Sequence, residues 1–418
     1  MFSFIHHFLG TNKQRSRQVS EVGGGQRVYL DHAAATPMFP VVREAMLPYF
    51  VDVYGNASAI HSEGRRIRAV VEDARQTVAR VLGIQPSGVT FTSGGTEGNN
   101  LAIRGVVEAR RQAGVPYAQM EIVTTSIEHP ATLRTVESLA SLGVMVQYVD
   151  VDENGYIKLA HLRELVSAQT VLVCVTYINS EIGTIERVAQ LKRTMVQMGS
   201  KALLYVDAAQ APLWVPCQPS RLRADIMTFD GGKCGGPQGV GVLATYKGVE
   251  LVPYAYGGGQ ERGLRPGTEP TSLVVGMARA LELAQGDYEA RTLRVRAVRD
   301  QILAELQRRI PQAMLNGATG EDRAPNNINI SIPGIDSEYA VVVLDTHGVA
   351  VSTKSACSSA GGGESVVVKA VTHDAARATS TLRITLGPDT TMADMYKCID
   401  ALALYLDKFH IKSHSTEK

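Results

Sequence analysis

The sequence lacks most of the features that announce a function class. Its formal net charge is +1 over 418 residues, so no field of one sign is available to draw it onto nucleic acid or an anionic membrane. Small-molecule chemistry is favoured instead. Cysteine is scarce: the five residues Cys174, Cys217, Cys234, Cys357 and Cys398 are odd in number, widely spaced and without a CxxC pair. That excludes a disulfide framework and a zinc site, and it fits a reducing compartment. No apolar run approaches the length of a membrane span, and there is no internal repeat or low-complexity tract. The opening MFSFIHHFLG and the basic stretch after it carry no small-residue cleavage site, which makes a poor secretory signal. Residues 1–27 read as a frayed tail, with an organellar transit segment as the other reading and a cytoplasmic address as the simpler expectation. The adjacent His6 and His7 in such a tail are not expected to hold a metal.

What the sequence does have is a regular alternation of short apolar runs and helix-patterned segments between about residues 60 and 245. The runs VTFTS (89–93), EIVTTS (121–126), VMVQYV (144–149), TVLVCVTYI (170–178), ALLYVD (202–207), IMTFD (226–230) and GVLATY (241–246) read as seven strands. Nearly continuous apolar strands separated by helices, such as Glu63–Leu82 and Val188–Met198, predict an α/β fold with a mostly parallel sheet covered on both faces. A long charged helical stretch from about Ser272 to Arg309 leads to a region of different rhythm. There NNINISIP (326–333), a helix near Ser337–His347, VAVSTKSAC (349–357) and TLRITLG (381–387) suggest a smaller α+β domain with a partly antiparallel sheet.

In a parallel sheet functional groups gather where strands end and the next turn begins. After VTFTS comes GGTEGNN, in which Gly95 and Thr96 open a helix whose exposed N–H groups form a seat for a phosphate; an ordinary turn capped by Thr96 would look the same. After EIVTTS, His129 opens the next helix, as a cap or as a catalyst. Asp207 closes an apolar strand, where a carboxylate needs a cationic or donor partner, and Gln210 follows three residues on. One strand later Lys233 stands in the glycine-rich TFDGGKCGGPQGVG (228–241). A phosphate near Gly95, a protonated ring nitrogen against Asp207, a ring face for His129 and an aldehyde for Lys233 together describe pyridoxal 5′-phosphate.

From VYLDHAAATP (28–37) through GNASAIHSEGR (55–65), FTSGGTEGNNLAI (91–103), IEHPA (127–131), NSEIGTIE (179–186), VDAAQ (206–210), the lysine turn, GGGQERGLRPGT (257–268), APNNINIS (324–331), VSTKSACSSA (351–360) and TLRITLG (381–387), the chain resembles the cysteine desulfurases. These are class V members of the fold type I pyridoxal phosphate enzymes. The resemblance implies a large cofactor-binding domain over 28–270 with a seven-stranded sheet. It implies a linking helix and small α+β domain over 271–410, on which the N-terminal segment of the large domain packs, and a disordered tail at 411–418. It makes Lys233 the cofactor-bonding lysine, Asp207 the partner of the pyridine nitrogen, Gln210 a donor to the phenolate oxygen, and His129 the stacking and proton-moving group. Gly95, Thr96, Asp230 and Gly232 surround the phosphate, and Thr268 reaches the phosphate of a neighbouring subunit, so a homodimer is implied. Asn179 and Arg383 face the carboxylate of L-cysteine, and Ser180 lies near the phenolate oxygen. Cys357, among Ser, Gly and Ala, is the thiolate that takes sulfur as a persulfide and hands it to an acceptor or scaffold protein, for iron–sulfur clusters or tRNA thiolation, with alanine as the product.

Three positions depart from the family pattern. Where the family has Ser-Gly-His-Lys this chain has Asp230, Gly231, Gly232 and Lys233, which removes two phosphate donors and adds a carboxylate that repels phosphate unless it turns toward a basic neighbour. Arg262 and Arg265 are the basic residues at hand. Ser180 stands where the family has asparagine. The competing expectations are a selenocysteine lyase, an aminotransferase in which Cys357 is incidental, and a cofactor-poor paralogue acting as a sulfur-assembly partner.

Overall fold

The strands of the protein follow in chain order as β1 (Val28–Tyr29), β2 (Val89–Thr92), β3 (Glu121–Thr124), β4 (Met145–Tyr148), β5 (Thr170–Thr176), β6 (Leu203–Asp207), β7 (Ile226–Asp230) and β8 (Gly241–Thr245). They are followed by β9 (Met314–Leu315), β10 (Asn327–Ser331), β11 (Val349–Ala350) and β12 (Thr381–Thr385). This is a computed structural model, and it describes residues 27–246, 248–353 and 363–409. The expectations for residues 1–26, for Cys357 and for the 411–418 tail lie outside the described residues.

Strands β2 to β8 form one sheet in the order β2-β8-β7-β6-β5-β3-β4. Neighbours from β4 across to β7 run parallel, while β8 lies antiparallel to both β7 and β2. The seven strands and the mostly parallel sheet match the sequence reading; Ile226–Asp230 keeps its expected bounds and the other six are shorter by one or two residues. Alternate residues point to opposite faces, and both faces are buried. Ile122, Leu172, Tyr205, Ile226 and Leu243 pack with Leu101, Ile103 and Val107 of the Gly95–Gln112 helix on one side. Val123, Val173, Val206, Met227, Phe229 and Val242 belong to the larger cluster on the other. The edge strand β4 is the exception, with Met145 and Tyr148 exposed.

The long charged stretch is two helices, Thr271–Gly286 and Tyr288–Arg309, rather than one. Gly286 and Asp287 are weak helix formers, and Asp287 leaves the helical region at φ −133°. The buried Arg291 guanidinium then donates to the Ala284 carbonyl at 2.9 Å and the Leu213 carbonyl at 3.1 Å, satisfying acceptors that a helix end leaves open.

Beyond these helices β12, β10 and β9 form an antiparallel sheet. Strand β11 pairs instead with β1, in parallel, matching Val28 with Val349. The start of the described chain is thereby tied to its last third. Among the described residues no helix is long and apolar enough to cross a membrane.

Candidate active site

Because β3, β5, β6 and β7 are parallel, their C-terminal ends share one edge of the sheet. Strand β2 points the same way, since two antiparallel pairings through β8 restore its direction. Gly241 of β8 is matched to Thr92 on one side and to Asp230 on the other. A Cβ there would stand 2.6 Å from the Phe229 carbonyl oxygen and 2.8 Å from the Gly94 carbonyl carbon. Glycine is what lets the turn after β2 close against the end of β7.

Asp207 ends β6 and is 7% exposed. Its Oδ2 accepts from Asn99 Nδ2 at 2.8 Å and its Oδ1 from the Ala209 N–H at 3.0 Å. Among the described residues no cation pairs with it, so a buried carboxylate rests on neutral donors, an arrangement that asks for a positive partner. Asn99 escaped the sequence reading; it is a buried polar residue on the helix face that also carries Ala102 and Val106. Lys233 follows β7 in the short Gly231–Lys233 turn and is half-buried. No hydrogen bond or ion pair engages its Nζ among the described residues.

His129 is the N-cap of the Pro130–Ala140 helix, and its Nδ1 accepts from the Ala131 N–H at 3.1 Å. Burial and the charge of Lys233 hold its pKa below the ordinary histidine value, against the pull of Asp207 and Asp230. The ring is therefore neutral at neutral pH, and the hydrogen bond to Nδ1 assigns its proton to Nε2. Beside it Glu128 is buried, accepts from the Thr125 hydroxyl at 2.7 Å, and is pushed well above the carboxylate range by burial and by Asp207 and Glu186.

The other expected residues are less available. Gln210 donates through Nε2 to the Ala33 carbonyl at 2.8 Å. Asn179 accepts from the Glu181 and Ile182 N–H groups at 3.0 and 3.1 Å and donates to the Ile127 carbonyl at 2.9 Å, so its side chain builds the turn. Arg383 is 1% exposed; it donates to Asp31 Oδ1 at 2.9 Å and to the Ser180 carbonyl at 3.1 Å, and its buried Nε has no partner. Ser180 thus touches this arginine through its backbone. Asp31 was a second residue the sequence reading passed over.

Asp230 does not turn toward a basic neighbour. Its Oδ2 accepts from the Gly95 N–H at 2.8 Å and its Oδ1 from the Gly232 N–H at 2.9 Å. The two arginines considered as replacement donors have other partners: Arg262 donates to the Val89 carbonyl at 2.5 Å, and Arg265 pairs with Glu97 at 3.1 Å. Thr96 is exposed and its hydroxyl has no partner among the described residues.

Thr268 is exposed at the end of the 257–268 segment. That segment contains two non-glycine residues in the left-handed region, Glu261 at φ +48° and Arg262 at φ +58°, each costing roughly 1 kcal/mol or more. A buried bidentate pair holds them there. Arg75 donates to Glu261 at 2.7 and 2.8 Å, and the Phe91 N–H adds a bond to the same carboxylate at 2.9 Å.

Four of the five cysteines are buried. Burial pushes the Cys234 and Cys398 thiols up to about 12 and those of Cys174 and Cys217 well above the ordinary value. None of them supplies a thiolate at neutral pH. Cys357 is the remaining cysteine and lies outside the described residues.

The model of the Aminotransferase class-V family matches residues 28–397. The chain belongs to that family. Among the relatives of this class V chain, the cysteine desulfurase IscS of Dictyoglomus turgidum is 36% identical over 92% of this chain and 95% of its own length. A solved NifS-like protein superposes with a TM-score of 0.85 at 32% identity, covering 92% of this chain and all of the other. SspA in complex with cysteine superposes with a TM-score of 0.74 at 29% identity, over 87% of this chain and all of that one.

Proposed function

We propose that this class V protein is a pyridoxal phosphate-dependent cysteine desulfurase, converting L-cysteine to L-alanine and retaining the sulfur on Cys357. The observation that carries the reading is the buried Asp207 carboxylate, on the same sheet edge as the Lys233 amine, with neither paired to a charged group among the described residues. Together they fit a protonated pyridine and an aldehyde, the two ends of one ring. The cofactor, when bound, supplies an electron sink for the bonds of the substrate amino acid.

Each residue then has one task. Lys233 would hold the aldehyde end of the cofactor through its Nζ, which has no partner among the described residues. Asp207, kept in place by Asn99 and Ala209, would hold the positive charge on the ring nitrogen. His129, neutral and protonated on Nε2, would border the cofactor ring and move protons through that nitrogen. Arg383, buried with one free Nε–H, is the donor for the substrate carboxylate, a task suited to a planar guanidinium. The Cys357 thiolate attacks the substrate sulfur, so that an S–S bond forms as the Cβ–S bond breaks, and the pair of the broken bond stays with Cβ, which takes up a proton to become the methyl group of alanine. The persulfide passes its outer sulfur to an acceptor or scaffold protein, for iron–sulfur clusters or tRNA thiolation. The working form is a homodimer in which Thr268 reaches the cofactor of the neighbouring subunit; the rigid anchoring of its segment by Arg75 and Glu261 supports that role.

The test uses the purified protein loaded with cofactor. Borohydride reduction should fix a pyridoxyl group on Lys233, and Cys357→Ala should keep that attachment while losing formation of sulfide and alanine from cysteine. Turnover retained by Cys357→Ala would overturn the assignment of the sulfur carrier.

A further inference from the structure

We infer that Asp230 is a built-in anion occupying the phosphate seat at the start of the Gly95–Gln112 helix, so that this chain discriminates against the 5′-phosphate of its cofactor. The inference rests on the cofactor reading above and concerns the one corner where the residues do not fit it. The seat is real in physical terms. A glycine pair leads into a helix whose first N–H groups have no intrahelical acceptor and lie at the positive end of the dipole.

The carboxylate already lies in it. Asp230 Oδ2 accepts from the Gly95 N–H, and Oδ1 from the Gly232 N–H in the lysine turn. The contact extends along both glycines, since a Cβ at Gly94 or at Gly95 would stand 3.3 Å from Oδ2. A phosphate using the Gly95 N–H must displace that oxygen or sit beside it as a second negative charge. The nearby arginines give no relief, because Arg265 is paired with Glu97 and Arg262 with the Val89 carbonyl. Gly232 offers no side chain as a further donor. The geometry also explains why the aspartate stays in place. Both oxygens are satisfied by backbone groups on turns brought together by Gly241, so the corner is closed by the protein's own charge and opens at the expense of two charge-assisted hydrogen bonds.

The consequence is a trade between stability and phosphate affinity that a merely structural aspartate would not show. The experiment titrates cofactor-free protein with pyridoxal 5′-phosphate and with pyridoxal, which has the same aldehyde and ring without the phosphate. Binding is read from the absorbance of the lysine-bound form, and cofactor-free melting temperatures are measured alongside. Asp230→Ser should tighten pyridoxal phosphate binding on the order of 10- to 100-fold, the span of one charge-assisted hydrogen bond. It should leave pyridoxal within about 3-fold, a change under 1 kcal/mol, and lower the melting temperature of the cofactor-free protein. Asp230→Asn keeps the shape and one acceptor, should shift the ratio of the two affinities in the same direction, and carries the test alone if the serine variant does not fold. An affinity ratio equal to that of the unaltered protein in both variants, or weaker phosphate-ligand binding in either, overturns the inference while leaving the cofactor reading intact. Failure of both aldehydes to become borohydride-fixed at Lys233 in the unaltered protein overturns the cofactor reading, and this inference with it.

Discussion

Replacing Glu261 with glutamine should destabilise the protein far more than a loop substitution ordinarily does. The Arg75 and Glu261 side chains are 3% and 2% exposed, so the variant leaves a buried guanidinium facing a neutral amide. Removing one partner of a buried ion pair costs about 3–5 kcal/mol. Glu72 also touches Arg75, at 3.1 Å, but its side chain is 50% exposed, and that partial neutralisation sets the expected loss near the lower bound, about 3 kcal/mol. With an unfolding entropy of about 2.1 cal/mol/K per residue over 418 residues, the melting temperature should fall by about 3–4 °C. Calorimetry at one scan rate measures the shift. Limited proteolysis should show faster cleavage within 257–268, because the left-handed conformations of Glu261 and Arg262 lose the contact that holds them. The double variant Arg75→Met with Glu261→Leu removes both charges and should recover most of the loss. A melting temperature for Glu261→Gln within 1 °C of the parent would refute the claim that this pair fixes the segment carrying Thr268.

Two further outcomes follow from the geometry. Gly241→Ala places a methyl within 2.9 Å of the Gly94 and Phe229 backbones; it should cost about 1–3 kcal/mol and weaken binding of pyridoxal phosphate, seen in melting and titration together, and unchanged values for both would show that the β2 and β7 turns are not held against each other. His32 has its pKa lowered to about 4, chiefly by burial, against weaker upward pulls from the Tyr29 backbone and Asp389. The unfolded chain therefore takes up this proton near pH 6.5 while the folded chain does not, so His32 costs nothing above that pH and up to about 3 kcal/mol as pH falls toward 4. His32→Asn should flatten urea-unfolding stability across that window relative to the parent, and parallel pH profiles would count against the assignment.

The seven strands of the main sheet were legible because each is a short, nearly unbroken apolar run, and the burial of all but the edge strand β4 on both faces is what such runs require. Lys233, Asp207 and His129 were legible for a related reason: in a parallel sheet the residues that end strands share one edge, so sequence position alone brings them together. The partners of Asp230 were not. Gly95 lies 135 positions away, and its approach depends on β8 running against both neighbours, a reversal that the composition of GVLAT does not encode. Asn99 looked like one more polar residue of a helix until the register of β6 brought Asp207 beneath it. The pairing of Arg75 with Glu261 was hidden for the same reason, since a charged residue within a helical pattern reads as solvated surface unless the segment that buries it is known.

The pairing of Val28 with Val349, and of Asp31 with Arg383, has a bearing on how the protein is made. Strand β1 acquires its partner only after Val349 and Ala350 have been made. Until then the carbonyl of Ala33, which Gln210 will later grip, has no fixed position. Contacts of such long sequence separation form slowly. The corner where Asp31 meets Arg383 is therefore assembled late, once both distant stretches of the chain are present.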